Sequence, residues 1–274
     1  MIDASSGAVT LTGGRMTEGV VLVDNSVRRP ASVASEFVAA LLKLFAQKKF
    51  DGAPRYLGQF DGMDIFSYLP GEVPARFRTW SDEQVAAAGS LLRAMHDATR
   101  GSELAGRCSV VCHHDVGPNN AVFQDDKPVA FIDWDTAAPG SPLEDLGYMA
   151  WTWCISSKQD APVQKQAAQV RILADAYGLD RSERDVVVDC VLERQARNAR
   201  FWAELLAVPG AALASTEVIG GRIAWSSGSM LSPTRIVRSL IALWLEPLEH
   251  ATGAGCSNRC RGNPTPPRWC ALLP

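Results

Sequence analysis

The segment that decides the fold runs Val110-Val-Cys-His113-His114-Asp115-Val-Gly-Pro-Asn119-Asn120, then Ala121-Val-Phe-Gln124, Asp125-Asp-Lys-Pro128, Val129-Ala-Phe-Ile132 and Asp133-Trp134-Asp135. The runs 121–124 and 129–132 are apolar and equal in length, so Asp125–Pro128 reads as a four-residue hairpin loop. In that register Gln124 faces Val129, Ala121 faces Ile132 and, one step further, Asn120 faces Asp133. Opposed side chains of an antiparallel pair have Cβ atoms roughly 4.5–5.5 Å apart. An amide oxygen and a carboxylate at that spacing can share one small hard cation, and Mg²⁺ takes such oxygens at roughly 2.1 Å. Asp115 lies in a loop with Gly117 and Pro118 and can curl over the same mouth without being a ligand. A metal pair with a separate carboxylate is what phosphoryl transfer asks for: charge neutralisation on phosphates and an acceptor for a hydroxyl proton. Each residue alone is an ordinary turn former; the pattern at both feet of an apolar hairpin carries the reading.

Before this segment, the chain opens with short strands at Ala8–Leu11, Gly19–Val23 and Ser26–Arg29, the last stopped by Pro30. The spacing of Val33, Phe37, Ala40, Leu41 and Leu44 predicts a helix, with Ser32 as its N-cap. Strands follow at Pro54–Gly58 and Met63–Tyr68, and Leu69-Pro70-Gly71 breaks the pattern. Ser81 with Gln84 forms a capping box, stapled by Trp80 on Val85, for a helix that buries Val85, Ala88, Leu92 and Met95. Further helices are expected near Val163–Tyr177, Arg184–Ala207 and Thr234–His250. A strand-rich first quarter joined to a helical remainder is an α+β arrangement of two lobes around a cleft. The expected units are residues 1–70, 71–252 and a disordered tail, 253–274.

With 47% hydrophobic and 21% charged residues, the 274-residue chain is ordinary for a soluble globular protein. No apolar run reaches the length of a membrane helix, and the first residues lack the basic and apolar regions of a secretory leader. A net charge of −3 argues against a nucleic-acid partner. Cys108, Cys112, Cys154 and Cys190 sit in apolar segments, as buried thiols of a reduced cytoplasmic protein do. The tail cysteines Cys256, Cys260 and Cys270 lack a fourth zinc ligand.

The ordered motifs His113-x-Asp115-x-x-x-x-Asn120, Ile132-Asp133-Trp134-Asp135 and Gly140-x-Pro142-x-x-Asp145-Leu146 resemble the aminoglycoside phosphotransferase and choline kinase-like family, small-molecule relatives of the protein kinases. The likeness extends more weakly through Gly13-Gly14, Tyr68-Leu-Pro-Gly71-Glu and Leu91-Leu-Arg-Ala-Met-His96. It implies a two-lobed protein-kinase-like fold with ATP at the hinge and Mg²⁺ as cofactor. It implies Asp115 as catalytic base, His113 as loop support, and Asn120 and Asp133 as Mg²⁺ ligands. Asp145 would brace the catalytic loop, although its place in the first turn of a helix capped by Ser141 and Glu144 also suits a dipole-matched acid. Gly13 and Gly14 would cradle phosphate, the backbone at Ser67 and Tyr68 would meet adenine, and Asp135 would support the metal loop. The acceptor would be a hydroxyl of a small molecule, an aminoglycoside-like antibiotic by the resemblance.

The chain departs from the family at strand three, which normally offers a lysine. The first lysine is Lys43, inside a helix, and Arg28 and Arg29 take the strand position. Arginine binds phosphate bidentately but is not equivalent to lysine. Glu36 on the following helix is the expected partner for that cation, or else a solvated helix residue. Three other readings compete. Asp133-x-Asp135 occurs in metal-dependent glycosyltransferases, but the helix and loop before it do not build their βαβ units. His113-His114-Asp115 lacks the spacing of acyl-condensing enzymes. A kinase-like protein without the lysine could bind or sequester a ligand without turnover, as an immunity protein, although a pure binder does not need a base plus two metal ligands.

Overall fold

The computed structural model describes residues 9–10, 19–74, 78–155 and 161–207. Gly13, Gly14, the expected helix Thr234–His250 and the tail 253–274 lie outside these residues.

Five antiparallel strands form the first sheet: β1 (Val9–Thr10), β2 (Val21–Val23), β3 (Ser26–Pro30), β4 (Tyr56–Phe60) and β5 (Met63–Ser67), ordered β1-β2-β3-β5-β4. Asp24-Asn25 turns β2 into β3, with Val23 opposite Ser26 and Asp24 at φ 52°. In β3, Arg28 pairs with Ile65 and Arg29 with buried Asp64. Neighbouring strand residues point to opposite faces, so the two arginines are separated by the sheet. Arg29 shares the face of Asp64 and Phe66, over which helix α1 (Ser35–Gln47) packs.

That helix departs from expectation. It opens at Ser35 with Ala34 as N-cap, and Ser32 lies before it, its hydroxyl accepting the Ala34 N–H and its N–H donating to Ser35 Oγ. The buried stripe is Val38, Leu41, Leu42 and Phe45, whereas Val33 is 80% exposed. The reason is a buried polar anchor: Ser35 donates its hydroxyl to Asp64, which turns Ser35 inward and rotates the stripe away from Val33.

Beyond Pro70 the chain runs along the second hairpin. Glu72 exchanges two backbone hydrogen bonds with Phe123, at 3.0 and 2.8 Å. Gly71 makes the approach possible: at φ 146° a Cβ would lie 2.4 Å from the Phe123 carbonyl oxygen. Helix α2 (Asp82–Thr99) starts at the capping box, with both Ser81–Gln84 bonds formed, and buries Val85, Ala88, Leu92 and Met95. Strand β6 (Val110–Cys112) pairs with β9 (Ala138–Gly140), and between them lies the hairpin β7 (Ala121–Gln124) and β8 (Lys127–Phe131). Cys112 and Cys154 are buried as expected, but Cys108 is exposed.

The hairpin is tighter than expected. Its loop is the two residues Asp125 and Asp126, both at positive φ (48° and 63°), so Gln124 faces Lys127 and Ala121 faces Phe131. Two residues in that conformation match the twist of the strands. A bulge then absorbs one residue opposite Phe123 and Val122. Pro128 sits there because it has no N–H to give to a ladder, and Phe123 spends its own N–H and carbonyl on Glu72. Asn120 therefore does not oppose Asp133: its carbonyl accepts from Ile132 N–H at 2.9 Å.

Helix α3 (Pro142–Met149) continues into a wider π-helical turn, Ala150–Cys154. Helix α4 (Val163–Tyr177) lies on α2, and the long α5 (Arg181–Ala207) lies on α3. Gly147 permits the second contact, since a Cβ there would stand 2.7 Å from the Cys190 carbonyl oxygen. The chain is thus α+β, strand-rich first and helical afterwards.

Candidate active site

The loop His113–Asn120 leaves β6 and returns to β7 through a single 3-10 turn, Pro118–Asn120. It has no regular backbone partners, so side chains must satisfy it. Asp145, fully buried in the first turn of α3, accepts the N–H of His113 and of His114, both at 2.7 Å. His96 Nε2 stands 3.1 Å from the same carboxylate. An ionised carboxylate only accepts, so that nitrogen is the donor, and His96 Nδ1 shares a 2.8 Å hydrogen bond with the Tyr177 hydroxyl. Burial alone would raise the Asp145 carboxyl. The His96 hydrogen bond and the neighbouring histidines outweigh it and hold the group well below the usual carboxylate range.

His113 is buried and locks the loop to the hairpin. Its Nε2 lies 3.0 Å from the Ile132 carbonyl, and its Nδ1 accepts the Asp115 N–H at 3.3 Å. His114 adopts φ 63°, and Arg194 of α5 donates to its carbonyl. Trp153, presented by the π-helical turn, donates Nε1–H to the Val116 carbonyl at 2.8 Å. Beyond the shared Asp145 anchor of 113 and 114, the hairpin, α5 and the π-helical turn hold residues 113, 114 and 116 in turn.

Asp115, half-buried, projects from this frame. Its Oδ1 accepts the Tyr148 hydroxyl at 2.5 Å and its Oδ2 accepts Asn120 Nδ2 at 2.7 Å. Asn120 Nδ2 also reaches the Asp115 carbonyl, so the amide is oriented with Oδ1 on the other side, where Asn119 Nδ2 donates at 2.9 Å. Arg194 lies 4.7 Å over the Tyr148 ring and stiffens the hydroxyl's support. The sequence reading missed Tyr148 and Arg194. Tyr148 lies one helical turn after Asp145, a legible offset, but Arg194 sits 80 residues from His114 with no local signal.

Asp133 follows β8 at φ 65°, a left-handed kink that aspartate tolerates and that aims it away from the strand. Its side chain keeps 56% of its surface open. Partial removal from water raises its carboxyl first, and the like charges of Asp135 and Asp115 raise it further against His113 and Arg29. Among the described residues, three carboxylates thus crowd one mouth with a single arginine among them. Asp135 receives both terminal nitrogens of Arg29, at 2.9 and 2.5 Å, and Asp133 is 3.9 Å from the same guanidinium.

One strand-three expectation narrows and another changes. Arg29, not Arg28, faces the acids. Glu36 is exposed on α1 and pairs with neither arginine among the described residues, because the helix begins late and turns it outward. At the hinge, Ser67 N–H is taken by the Arg55 carbonyl and Tyr68 N–H by the Asn25 carbonyl, so neither amide is open to an adenine edge.

The profile of the phosphotransferase enzyme family matches residues 103–187, which span this loop, the hairpin and α3. The trifolitoxin immunity protein of Rhizobium leguminosarum bv. trifolii is 31% identical over 224 residues, covering 73% of this chain and 85% of that one. A choline/ethanolamine kinase family protein from Mesorhizobium loti superposes with a TM-score of 0.60 at 18% identity, over 86% of this chain and 94% of its own. An aminoglycoside phosphotransferase from Alicyclobacillus acidocaldarius gives 0.58 at 13% identity, over 82% and 89%. The fold shared with these structures is the two-lobed, protein-kinase-like one.

Proposed function

This chain belongs to the phosphotransferase enzyme family, and from that premise we propose that it transfers the terminal phosphoryl group of ATP to a hydroxyl of a small molecule. The observation that carries the reading is Asp115, held at both oxygens by Tyr148 and Asn120 beside the open carboxyl of Asp133. Asp115 orients the acceptor hydroxyl and takes its proton as the new O–P bond forms and the bond to the ADP oxygen breaks. Arg29 grips the phosphates. The segments around Gly13-Gly14 and Ser67-Tyr68 meet the nucleotide, the latter through groups other than its two engaged amides. Residues 1–70 form the nucleotide lobe and 71–252 the catalytic and acceptor lobe.

The mouth fits a divalent cation. Partial removal from water and then crowded like charge raise the Asp133 carboxyl, which accepts no hydrogen bond among the described residues, and Asn120 is turned so that its oxygen, not its nitrogen, faces away from Asp115. Asn120 Oδ1 and Asp133 would hold Mg²⁺, which when bound neutralises charge on the phosphates. Among the described residues no helix is long and apolar enough to cross a membrane. ATP supply places the work in the cytoplasm.

The acceptor is an antibiotic-like compound, and an aminoglycoside-like amino alcohol is the class the family motifs favour. The immunity-protein relative favours a second reading, in which the chain protects by holding a toxin without modifying it. A phosphate-transfer screen with Mg-ATP over aminoglycosides, macrolides, peptide antibiotics and choline-like metabolites separates them. The first reading expects a phosphate ester on one class; tight binding with no transfer leaves the second.

A further inference from the structure

We propose that Asp135 is the positioning residue for Arg29, taking the place that the acidic residue of helix α1 leaves empty. The inference rests on the phosphotransferase reading. The side chain of Arg29 is 11% exposed and is fixed on three sides. Asp135 binds its two terminal nitrogens, the Phe66 ring lies 5.1 Å from its guanidinium carbon, and Asp133 stands 3.9 Å away. A carboxylate fork on a guanidinium fork is the strongest and most directional of the ion pairs. It also leaves a donor over: Nε of Arg29 is buried and has no hydrogen-bond partner among the described residues. A buried N–H left unmade is costly, and a phosphate oxygen in the cleft is a group that would satisfy it.

The sequence explains why the partner changed. A lysine is a point charge on a flexible stem and can be met by one helix glutamate. Arginine is longer, flat and needs a two-oxygen partner in its plane. Glu36 is exposed on α1, whereas Asp135 comes from the loop that carries Asp133. The cation that meets the nucleotide is therefore tied directly to the metal-bearing loop, and the sheet is joined to the helical part at the reacting centre itself.

The test is a double-mutant cycle on the full chain, using the acceptor found in the screen and calorimetry with Mg-ADP. Asp135→Asn is expected to raise KM for ATP at least tenfold while KM for the acceptor stays within twofold. In an Arg29→Met background, Asp135→Asn should add nothing, since Asp135 acts through Arg29. Asp135→Glu should recover part of the loss, and Glu36→Gln should change neither constant. An unchanged or lowered KM for ATP in Asp135→Asn overturns the proposal, as do additive effects in the cycle or an equal loss from Glu36→Gln. If Asp135→Asn does not fold, the Asp135→Glu and Glu36→Gln arms decide in the same way. Absence of Mg-ADP binding to the unaltered chain would instead strike the phosphotransferase reading beneath it.

Discussion

Asp115 is useful because its neighbours have already fixed it. The Tyr148 hydroxyl and the Asn120 amide each occupy one of its oxygens, so its rotamer does not have to be found anew when an acceptor arrives. A carboxylate that takes a proton in the transition state contributes about 10²–10⁴ in rate. Asp115→Ala is therefore expected to lose transfer by about that factor while Mg-ADP affinity, read by calorimetry, stays within a few-fold. Transfer at the unaltered rate would remove Asp115 from the chemistry. The closeness of Asp115 to Asn120 was legible from their spacing. Tyr148 and Arg194 carry no such local signal toward the loop, because their contacts with it exist only after α3 and α5 have packed.

At the scale of elements, capping and apolar periodicity were readable and strand register was not. The Ser81–Gln84 and Ser141–Glu144 boxes both form as the local pattern requires. The hairpin register failed because it turned on Pro128, whose missing N–H places a bulge, and on Glu72, which competes for Phe123 from another part of the chain. Likewise α1 took its orientation from Asp64, a strand residue no helical pattern contains. Helix α5 contributes more than its apolar face. Arg194 is 8% exposed, donates to the His114 carbonyl and covers Tyr148. Arg194→Met should keep most of the packing volume yet leave that carbonyl unsatisfied, at a cost of about 2 kcal/mol. Thermal and denaturant unfolding would register the loss together with a lower kcat; a destabilisation below about 0.5 kcal/mol would mean the arginine is ornamental to the loop.

For the whole molecule, the buried acids set the behaviour in acid. Burial would raise the Glu144 carboxyl, but the His114 ring 3.3 Å away, the Ser141 N–H and Arg197 bring it down from 4.5 to about 2. Asp145 is displaced in the same direction. A lowered folded-state value means the native state holds its charge where the unfolded chain would take a proton. The stabilisation is complete above the ordinary carboxylate range and fades as pH falls from 4.5 toward 2. Denaturant titrations across this window should show steep acid destabilisation, less steep in Glu144→Gln. An identical slope in that variant would assign the acid sensitivity elsewhere.

The pairing of Arg29 with Asp135 has one more consequence. Kinase-type folds are often switched by swinging outward the helix that bears the acidic partner of the nucleotide's cation. Here α1 bears no such partner, since Glu36 is exposed, so a tilt of α1 does not by itself break the Arg29–Asp135 pair. On the proposed reading, activity then follows the arrival of nucleotide and acceptor alone. For the proposed transfer to an antibiotic-like acceptor, that means readiness with no prior switching step.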